Sequence, residues 1–457
     1  MKKMKKAISL ILCLVMCFSA VSLCAAAAEK DYTIVSPYAD VIWSGDNAWG
    51  AYKGNLHSHT TYSDADTDLP TMVKEYYEQD FDFLANADHG VTGTAWNVEP
   101  AKVALYTYQK LLGNSVKVLT DEEFEGITSG TYPRYDGTVR NKKMVCVTGA
   151  NELNNMTLTK SHVNAYFIPT DKGNGYGGTE NGFEGAIAFT EKLGGLSHIN
   201  HPGDWLESND NIDAVSDPEK VRFFGEIILK YPSCLGMEVF NETNSTTPYD
   251  RILWDNLLMY TLPYGRNVIG FSNTDAHNTD NVDTSFSVFM MEENDVDHIK
   301  ATMQSGAFFM ITRNLSGNDI IGPEKEINVR NTDIPYPVFT SVTTQGHKIT
   351  VTAENASKVQ WIANGKIIAE SAIGSEAVTL DLDTIEGAED FMYVRAEIFG
   401  EGGICLTQAL IIDDGSEKLV YEEEKNLAAL AEKILFRLES TLFWTIVVEL
   451  YRLIKDA

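Results

Sequence analysis

The sequence predicts an α/β protein: a parallel, barrel-like sheet with helices outside, then a small β-sandwich, then a C-terminal amphipathic helix. Three observations predict it. From about Val41 to Arg313, short β-branched or aliphatic runs alternate with amphipathic stretches, the pattern of a parallel sheet covered by helices. From Lys348 to Ile412, strand-like runs follow one another without helices, and Asn364-Gly365 marks a hairpin turn. From Glu422 onward, Leu427, Leu430, Ile434, Leu438, Leu442, Ile446, Leu450 and Leu453 recur at helical spacing.

The N-terminus reads as a leader. Lys2, Lys3, Lys5 and Lys6 precede an apolar run from Ala7 to Leu23 and the small residues Ala25–Ala28. A positive start, a short apolar core and a small-residue exit describe a secretory signal peptide over 1–28, with an uncleaved membrane anchor as the competing reading. The expected destination is outside the cytoplasm: secreted, periplasmic or cell-surface. Cleavage leaves Cys146, Cys234 and Cys405, three widely spaced thiols that make no disulfide framework. Cys146 and Cys405 sit inside strand-like runs and read as small buried apolar residues.

The barrel region is expected over 29–325. Its strands fall at Met144–Thr148, Ala165–Ile168, Leu196–Ile199, Met237–Phe240 and Val268–Phe271. Its helices fall at Leu69–Gln79, Phe183–Leu193, Pro218–Lys230 and Pro248–Tyr260, the second of them stopped by Gly194-Gly195. Composition shifts near Gly322-Pro323 and Pro335-Tyr336-Pro337, which opens the sandwich over 326–415. That module reads as structural or docking, with carbohydrate binding as the alternative. The tail over 416–457 has its densest apolar stretch, Leu442 to Val448, bounded by Glu439 and Glu449. That is far short of the roughly 20 apolar residues a span needs. No transmembrane span is therefore expected after leader cleavage. The tail is expected to pack on its own protein or on a twin, with interfacial membrane attachment the lesser reading.

Charge excludes some functions. The 457 residues carry 65 Asp and Glu against 36 Lys and Arg, a formal net charge of −29. Losing residues 1–28 removes four Lys and no acid, which takes the mature chain near −33. Broad nucleic-acid binding needs many cations to displace counterions and is excluded. Only nine His are present, and seven of them lie from His57 to His277.

Those histidines fall at strand ends, where barrels of this kind gather their chemistry. His57 and His59, two apart in Gly54-Asn55-Leu56-His57-Ser58-His59, share a strand face, and Asp64 follows in the next turn. Asp88-His89-Gly90 ends a second apolar run; His89 can ligate while Asp88 accepts its other ring N–H. Glu152 follows the Val145–Val147 run and can bridge two metals through its two oxygens. His162 enters another strand, His198 and His201 frame Leu196–Pro202, and Asp275 and His277 close the series. Six successive strand ends that each offer His, Asp or Glu point to a polynuclear metal site.

The ordered series His-x-His…Ser-Asp, Asp-His-Gly, Glu, His, His-Pro and Asp-x-His resembles the polymerase and histidinol phosphatase (PHP) superfamily, over about residues 50–315. The β-rich appendage is similar to that of its secreted branch, which includes the CehA/McbA-like hydrolases. The resemblance implies a distorted (β/α)7, TIM-like barrel with a trinuclear site at the strand C-termini. It implies one metal held by His57, His59, Glu152 and Asp275, a second sharing Glu152 with His162 and His201, and a third on Asp64, His89 and His277. His201 is preferred to His198 because the family motif is His followed by Pro; His198 and Glu238 are expected behind the ligands. Glu152, Asp275 and His201 are the residues expected to carry catalysis. One departure stands out: family members often have a Gly-Arg pair where this chain reads Gly306-Ala307, and Arg313, Arg134 and Lys160 are the nearest substitutes.

The mixed imidazole and carboxylate set suits Zn, Mn or Fe without ranking them. The expected function is an exported phosphoesterase, cleaving a small organic phosphate mono- or diester with a metal-bridging hydroxide. A carboxyl ester, carbamate or amide hydrolase using the same site is the near alternative. A cell-surface interaction module with structural metal, associating through its C-terminal helix, is the alternative from another class.

Overall fold

The computed structural model describes residues 31–154, 160–176, 182–208, 211–241, 249–315, 327–329, 334–423 and 434. The leader expected over 1–28 lies outside them. Of the helix expected over 416–457, residues 416–423 are irregular and the rest, apart from Ile434, lies outside the described residues.

In chain order the first strands are β1 (Thr33–Val35) and β2 (Gly50–Asn55), followed by helix α1 (Leu69–Glu78) and β3 (Phe83–Leu84). Helices α2 (Ala104–Leu111) and α3 (Asp121–Ser129) lead to β4 (Val145–Cys146), β5 (Asn151–Leu153) and β6 (Val163–Tyr166). Then come α4 (Gly182–Lys192), β7 (Leu196–Ile199), the short α5 (Pro202–Leu206), α6 (Pro218–Lys230) and β8 (Cys234–Asn241). Helix α7 (Asp250–Thr261) precedes β9 (Ile269–Asn273) and β10 (Ser285–Met291), and α8 (Val296–Ser305) precedes β11 (Phe308–Thr312).

Local chemistry explains the best-defined of these. Asp68 caps α1 by accepting from Thr71 N, Pro70 sits in the first turn, and Leu69, Met72, Val73, Tyr76 and Tyr77 form its buried stripe. Thr120 and Glu123 make a reciprocal capping box on α3, and Gly130 ends it at a φ of +79°. Strand β6 ends at Tyr166, short of the run expected to Ile168, because Phe167 takes a positive φ of 58° that no strand tolerates.

The fold is mixed α/β, but its pairing is not the uniformly parallel ladder the alternation suggests. Strands β2, β3 and β4 are parallel, as are β7, β8 and β9. Between them β6 runs antiparallel to both β5 and β7. The described strands form no closed barrel: β5 to β9 make one sheet and β2 to β4 belong to another. Two isolated parallel bridges, His89 to Glu152 and Ser58 to Ala276, join the two sheets beyond the strand ends.

The later strands are β12 (Asn314–Leu315), β13 (Ile327–Asn328), β14 (Val338–Gln345), β15 (Lys348–Glu354), β16 (Lys358–Ala363), β17 (Lys366–Ala372), β18 (Val378–Asp381), β19 (Tyr393–Gly400), β20 (Gly403–Leu406) and β21 (Leu410–Asp413). Strands β16 and β17 form the hairpin expected at Asn364-Gly365, whose φ values of 47° and 72° suit a type I′ turn. Strand β20 pairs antiparallel with β11 and β21 pairs with β1, so one sheet runs from β2 through β10 and β11 into β19 and beyond. Strands β14, β15 and β18 form a separate three-stranded sheet.

Two apolar clusters hold these layers. One packs Phe183, Ile187, Phe224, Ile228, Leu253 and Trp254 from α4, α6 and α7 against the β5–β9 sheet. The other joins the α1 stripe to Phe286, Phe309 and Ile311, and reaches Phe339, Val351 and Trp361 in the later strands. Cys234 and Cys405 are buried, Cys146 is half-buried, and all three are free thiols.

Candidate metal centre

All nine residues expected as ligands lie in one cluster where the two sheets meet. Strand β2 delivers His57 and His59 just past its end, and the bridge from His89 to Glu152 sets those two side by side. His162 precedes β6, His201 follows β7, and Asp275 and His277 follow β9. His57, His59 and Glu152 are fully buried, whereas Asp64 and His277 are half-buried and form the open side.

Glu152 sits at the middle. Its Oε2 lies 3.2 Å from His57 Nε2, 3.1 Å from His59 Nε2 and 3.1 Å from His89 Nδ1. Its Oε1 lies 3.0 Å from His162 Nδ1 and 3.3 Å from His201 Nε2. Asp275 Oδ1 is 3.2 Å from His57 Nε2 and 2.9 Å from His59 Nε2, which are themselves 3.1 Å apart. On the open side, Asp64 meets His89 Nε2 and His277 Nε2 at 3.4 Å each, and His59 Nδ1 at 3.6 Å. Three sets therefore offer ligand atoms within 4.8 Å of one another: His57, His59, Glu152 and Asp275; His89, Glu152 and His162; and His59, Asp64, His89 and His277. His89 faces Glu152 through one nitrogen and Asp64 through the other, and so stands between two sets rather than in one.

Not every atom of the cluster finds a protein partner. Asp275 Oδ1, His89 Nδ1, His162 Nε2 and His201 Nδ1 are buried and make no hydrogen bond. Atoms held about 2.0–2.1 Å from a common centre stand about 3.0–3.4 Å apart, the spacing seen around Asp275 Oδ1 and Glu152 Oε2. Protons do not replace such a centre well. Burial lowers the pKa of His57 and His59, but Asp275, Glu152 and, for His57, Glu238 outweigh it and hold both well above the ordinary imidazole range. Two imidazolium rings would then turn donors toward each other across 3.1 Å. Burial raises the Glu152 and Asp275 carboxyls, yet the surrounding histidines outweigh it and hold both well below the usual range. The donor set fits divalent cations.

A ring of amides and carboxylates orients the cluster. Glu238 accepts from His57 Nδ1 at 2.8 Å and Asn273 Nδ2 at 2.9 Å through Oε1, and from His201 N and Asn241 Nδ2 through Oε2. A register shift between Glu238 and Phe240 in the β8–β9 pairing re-aims this stretch. Asn200 donates to Glu152 Oε1 at 2.7 Å and Asn241 to Asp275 Oδ2 at 3.2 Å. His201 and Asp275 both take positive φ, 25° and 46°, a strain of about 1–3 kcal/mol each. Backbone bonds from His201 N to Glu238 and from Asp275 N to His57 O help hold them there.

One expectation changes. Asp88 was expected to accept from the His89 ring. Both its oxygens turn instead to Thr60 N, Thr60 Oγ1 and Ser63 Oγ at 2.7–2.9 Å, so it fastens the loop between His59 and Asp64. His198 was expected behind the ligands. It bonds Tyr166 Oη at 2.8 Å and stacks on Phe271, and burial pulls its pKa down to about 4. It is a neutral core residue one layer behind.

Asn200, Asn241, Asn273 and Asp250 were not expected. Asn200 and Asn241 lie inside motifs already singled out by their histidine or glutamate, which was the available signal. Asp250 had none: it accepts from Gly203 N, 47 positions away, and bears on the first turn after His201. Burial pushes its carboxyl well above the usual range. Of the three candidate cations, Arg313 is buried against Asp283 and the Ile334 carbonyl, Arg134 pairs with Asp80, and Lys160 pairs with Asp204 at 3.2 Å.

No family model matches the chain, and no curated protein does. Among solved structures it is similar to a two-domain protein from Bacteroides vulgatus, described as containing a predicted PHP-like metal-dependent phosphoesterase. That likeness has 14% identity and a TM-score of 0.40, over 81% of this chain and 99% of the other. A lesion-specific endonuclease from Pyrococcus furiosus shares 12% identity, with a TM-score of 0.32 over 60% of each chain. The protein PsfC from Pseudomonas syringae shares 14%, with a TM-score of 0.30 over 53% of this chain and 83% of its own.

Proposed function

We propose that the protein is a PHP-type metal-dependent hydrolase of the secreted branch, cleaving a small organic phosphate ester. The observation that carries this reading is the central Glu152 carboxylate, with His57, His59 and His89 at one oxygen and His162 and His201 at the other. His57, His59, Glu152 and Asp275 would hold one divalent ion, Glu152, His162 and His201 a second, and Asp64, His89 and His277 a third, with Zn, Mn and Fe all suited. Such ions, when bound, supply Lewis acidity that activates water at neutral pH and neutralises charge on the ester oxygens.

The chain's own contribution is placement. His57 keeps its proton on Nδ1, bonded to Glu238, and so presents Nε2 to the centre. His277 does the same by donating from Nδ1 to the Asp275 carbonyl at 2.9 Å. Asn200 fixes the rotation of the Glu152 carboxylate, and Asp88 fixes the loop that carries Asp64. The half-buried Asp64 and His277 leave an approach for a small ester, while the buried face excludes bulk water. We place the leader at 1–28, the hydrolase region at 29–325, a β-rich module at 326–415 that shares a sheet with it through β11 and β20, and a tail at 416–457 whose apolar spacing is helical from Leu427 onward. Among the described residues no helix is long and apolar enough to cross a membrane.

A second reading, hydrolysis of a carboxyl ester, carbamate or amide, is favoured by one observation. Arg313 and Arg134 are engaged with Asp283 and Asp80, so neither stands ready for a phosphate. Metal analysis of the purified protein, with rates on aryl phosphates and aryl esters before and after Glu152→Gln, decides between the two. Faster turnover of the phosphates, lost in the variant, supports the first reading; turnover of esters alone supports the second. Protein without transition metal that cleaves neither sinks both.

A further inference from the structure

Phosphate esters are anions, and this centre lies in an acidic chain whose two candidate arginines are committed elsewhere. Lys160 is placed differently. It stands two residues before His162, and its Nζ reaches Asp204 Oδ1 at 3.2 Å. Asp204 lies three residues after His201, in the first turn of α5. The ion pair therefore spans the two loops that bring His162 and His201 to Glu152 Oε1. Its side chains are 34% and 28% exposed, so the pair is partly solvated and worth little by itself. A weak, half-exposed pair exchanges its anion readily. Asp204 is held in the α5 turn by its N–H to the His201 carbonyl at 2.9 Å, which fixes the backbone that carries the carboxylate met by Lys160.

We infer that Lys160 is the substrate-anion contact of this centre, parked on Asp204 until a phosphate group takes its ammonium. This inference rests on the phosphoesterase reading. Asp204 competes with the phosphate for that ammonium: removing Lys160 leaves a carboxylate that repels the anion, whereas removing the Asp204 charge frees the ammonium for it.

The test is calorimetric titration of inorganic phosphate into the purified, metal-containing full chain, alongside KM for 4-nitrophenyl phosphate. Lys160→Met is expected to weaken phosphate binding by about tenfold, as loss of one partly screened charged hydrogen bond does. Lys160→Arg restores most of it, and Asp204→Asn tightens it. Lys348→Met, which removes the same type of pair between Lys348 on β15 and Asp381 on β18, leaves phosphate affinity unchanged. The KM for 4-nitrophenyl phosphate rises in Lys160→Met while kcat moves less. Equal phosphate affinity in wild type and Lys160→Met overturns the inference, and so does a wild type that binds no phosphate. Phosphate bound through Lys160 without phosphoester hydrolysis keeps this contact and removes the phosphoesterase reading. Hydrolysis with affinity indifferent to Lys160 does the reverse.

Discussion

Two buried clusters of charge in this molecule look alike in composition and differ in closure. Between α7 and β19, Arg395 binds Asp255 through Nε and Nη2 at 2.8 and 2.7 Å and Glu397 through Nη1 at 2.5 Å. Arg251 binds the other Glu397 oxygen at 2.9 Å, and Tyr393 Oη donates to Asp255 Oδ1 at 2.6 Å. Two guanidiniums face two carboxylates, so charge balances and the four carboxylate oxygens are all bonded. At the Glu152 centre, nitrogens and oxygens stand 2.9–3.3 Å apart, and Asp275 Oδ1 and three ring nitrogens have no hydrogen bond. In the first cluster protein donors meet every carboxylate oxygen. The second has a donor set that divalent cations would complete, and that difference would separate a structural network from a reactive one.

The sharpest way to break the comparison is Glu152→Gln. Activity should fall by about a thousandfold or more, because groups that act as a unit fail together. Metal content should fall with it, and unchanged turnover would put the chemistry elsewhere. Next comes Arg395→Met, which leaves Asp255 and Glu397 buried without their main partner. It should cost about 3–5 kcal/mol in denaturant unfolding, whether or not metal is bound. Chelation sharpens the contrast: removing metal should lower the Tm of wild type and leave the Tm of Glu152→Gln little changed.

Smaller effects follow further out. Glu238→Gln keeps the shape but weakens the hold on His57, and metal affinity should drop about 10–100-fold with the fold intact. The smallest is a surface pair, His347 with Asp383 at 2.7 Å, where the Asp383 bond raises the imidazole pKa. A raised folded pKa stabilises below the unfolded value of about 6.5 and loses that contribution as pH rises through the folded one. The Tm gap between wild type and His347→Gln should therefore be widest in acid and close toward alkaline pH.

Much of the candidate site was legible because metal-binding chemistry is written in residue type and local spacing. His57 and His59 two apart, Asp88-His89-Gly90, and Asp275 two before His277 each place a donor at a strand end without reference to the rest of the chain. The orienting partners were not legible in that way. Asp88 could have turned to the next residue or to a loop 28 positions away, and only packing chose Thr60 and Ser63. Likewise, His198 was expected behind the ligands, but its bond to Tyr166, 32 positions away, was set by packing.

By itself, then, the sequence determined the alternation of strands and helices, the Asn364-Gly365 hairpin, and which side chains can bind a cation. These follow from backbone preference and functional-group chemistry, which act over a few residues. Only the tertiary structure decided that β6 runs antiparallel, that β11 continues into β20, that Arg395 meets Asp255 across 140 positions, and that Glu152 turns one oxygen to each set of histidines. Each of those depends on which distant surfaces exclude water together, and burial has no sequence range.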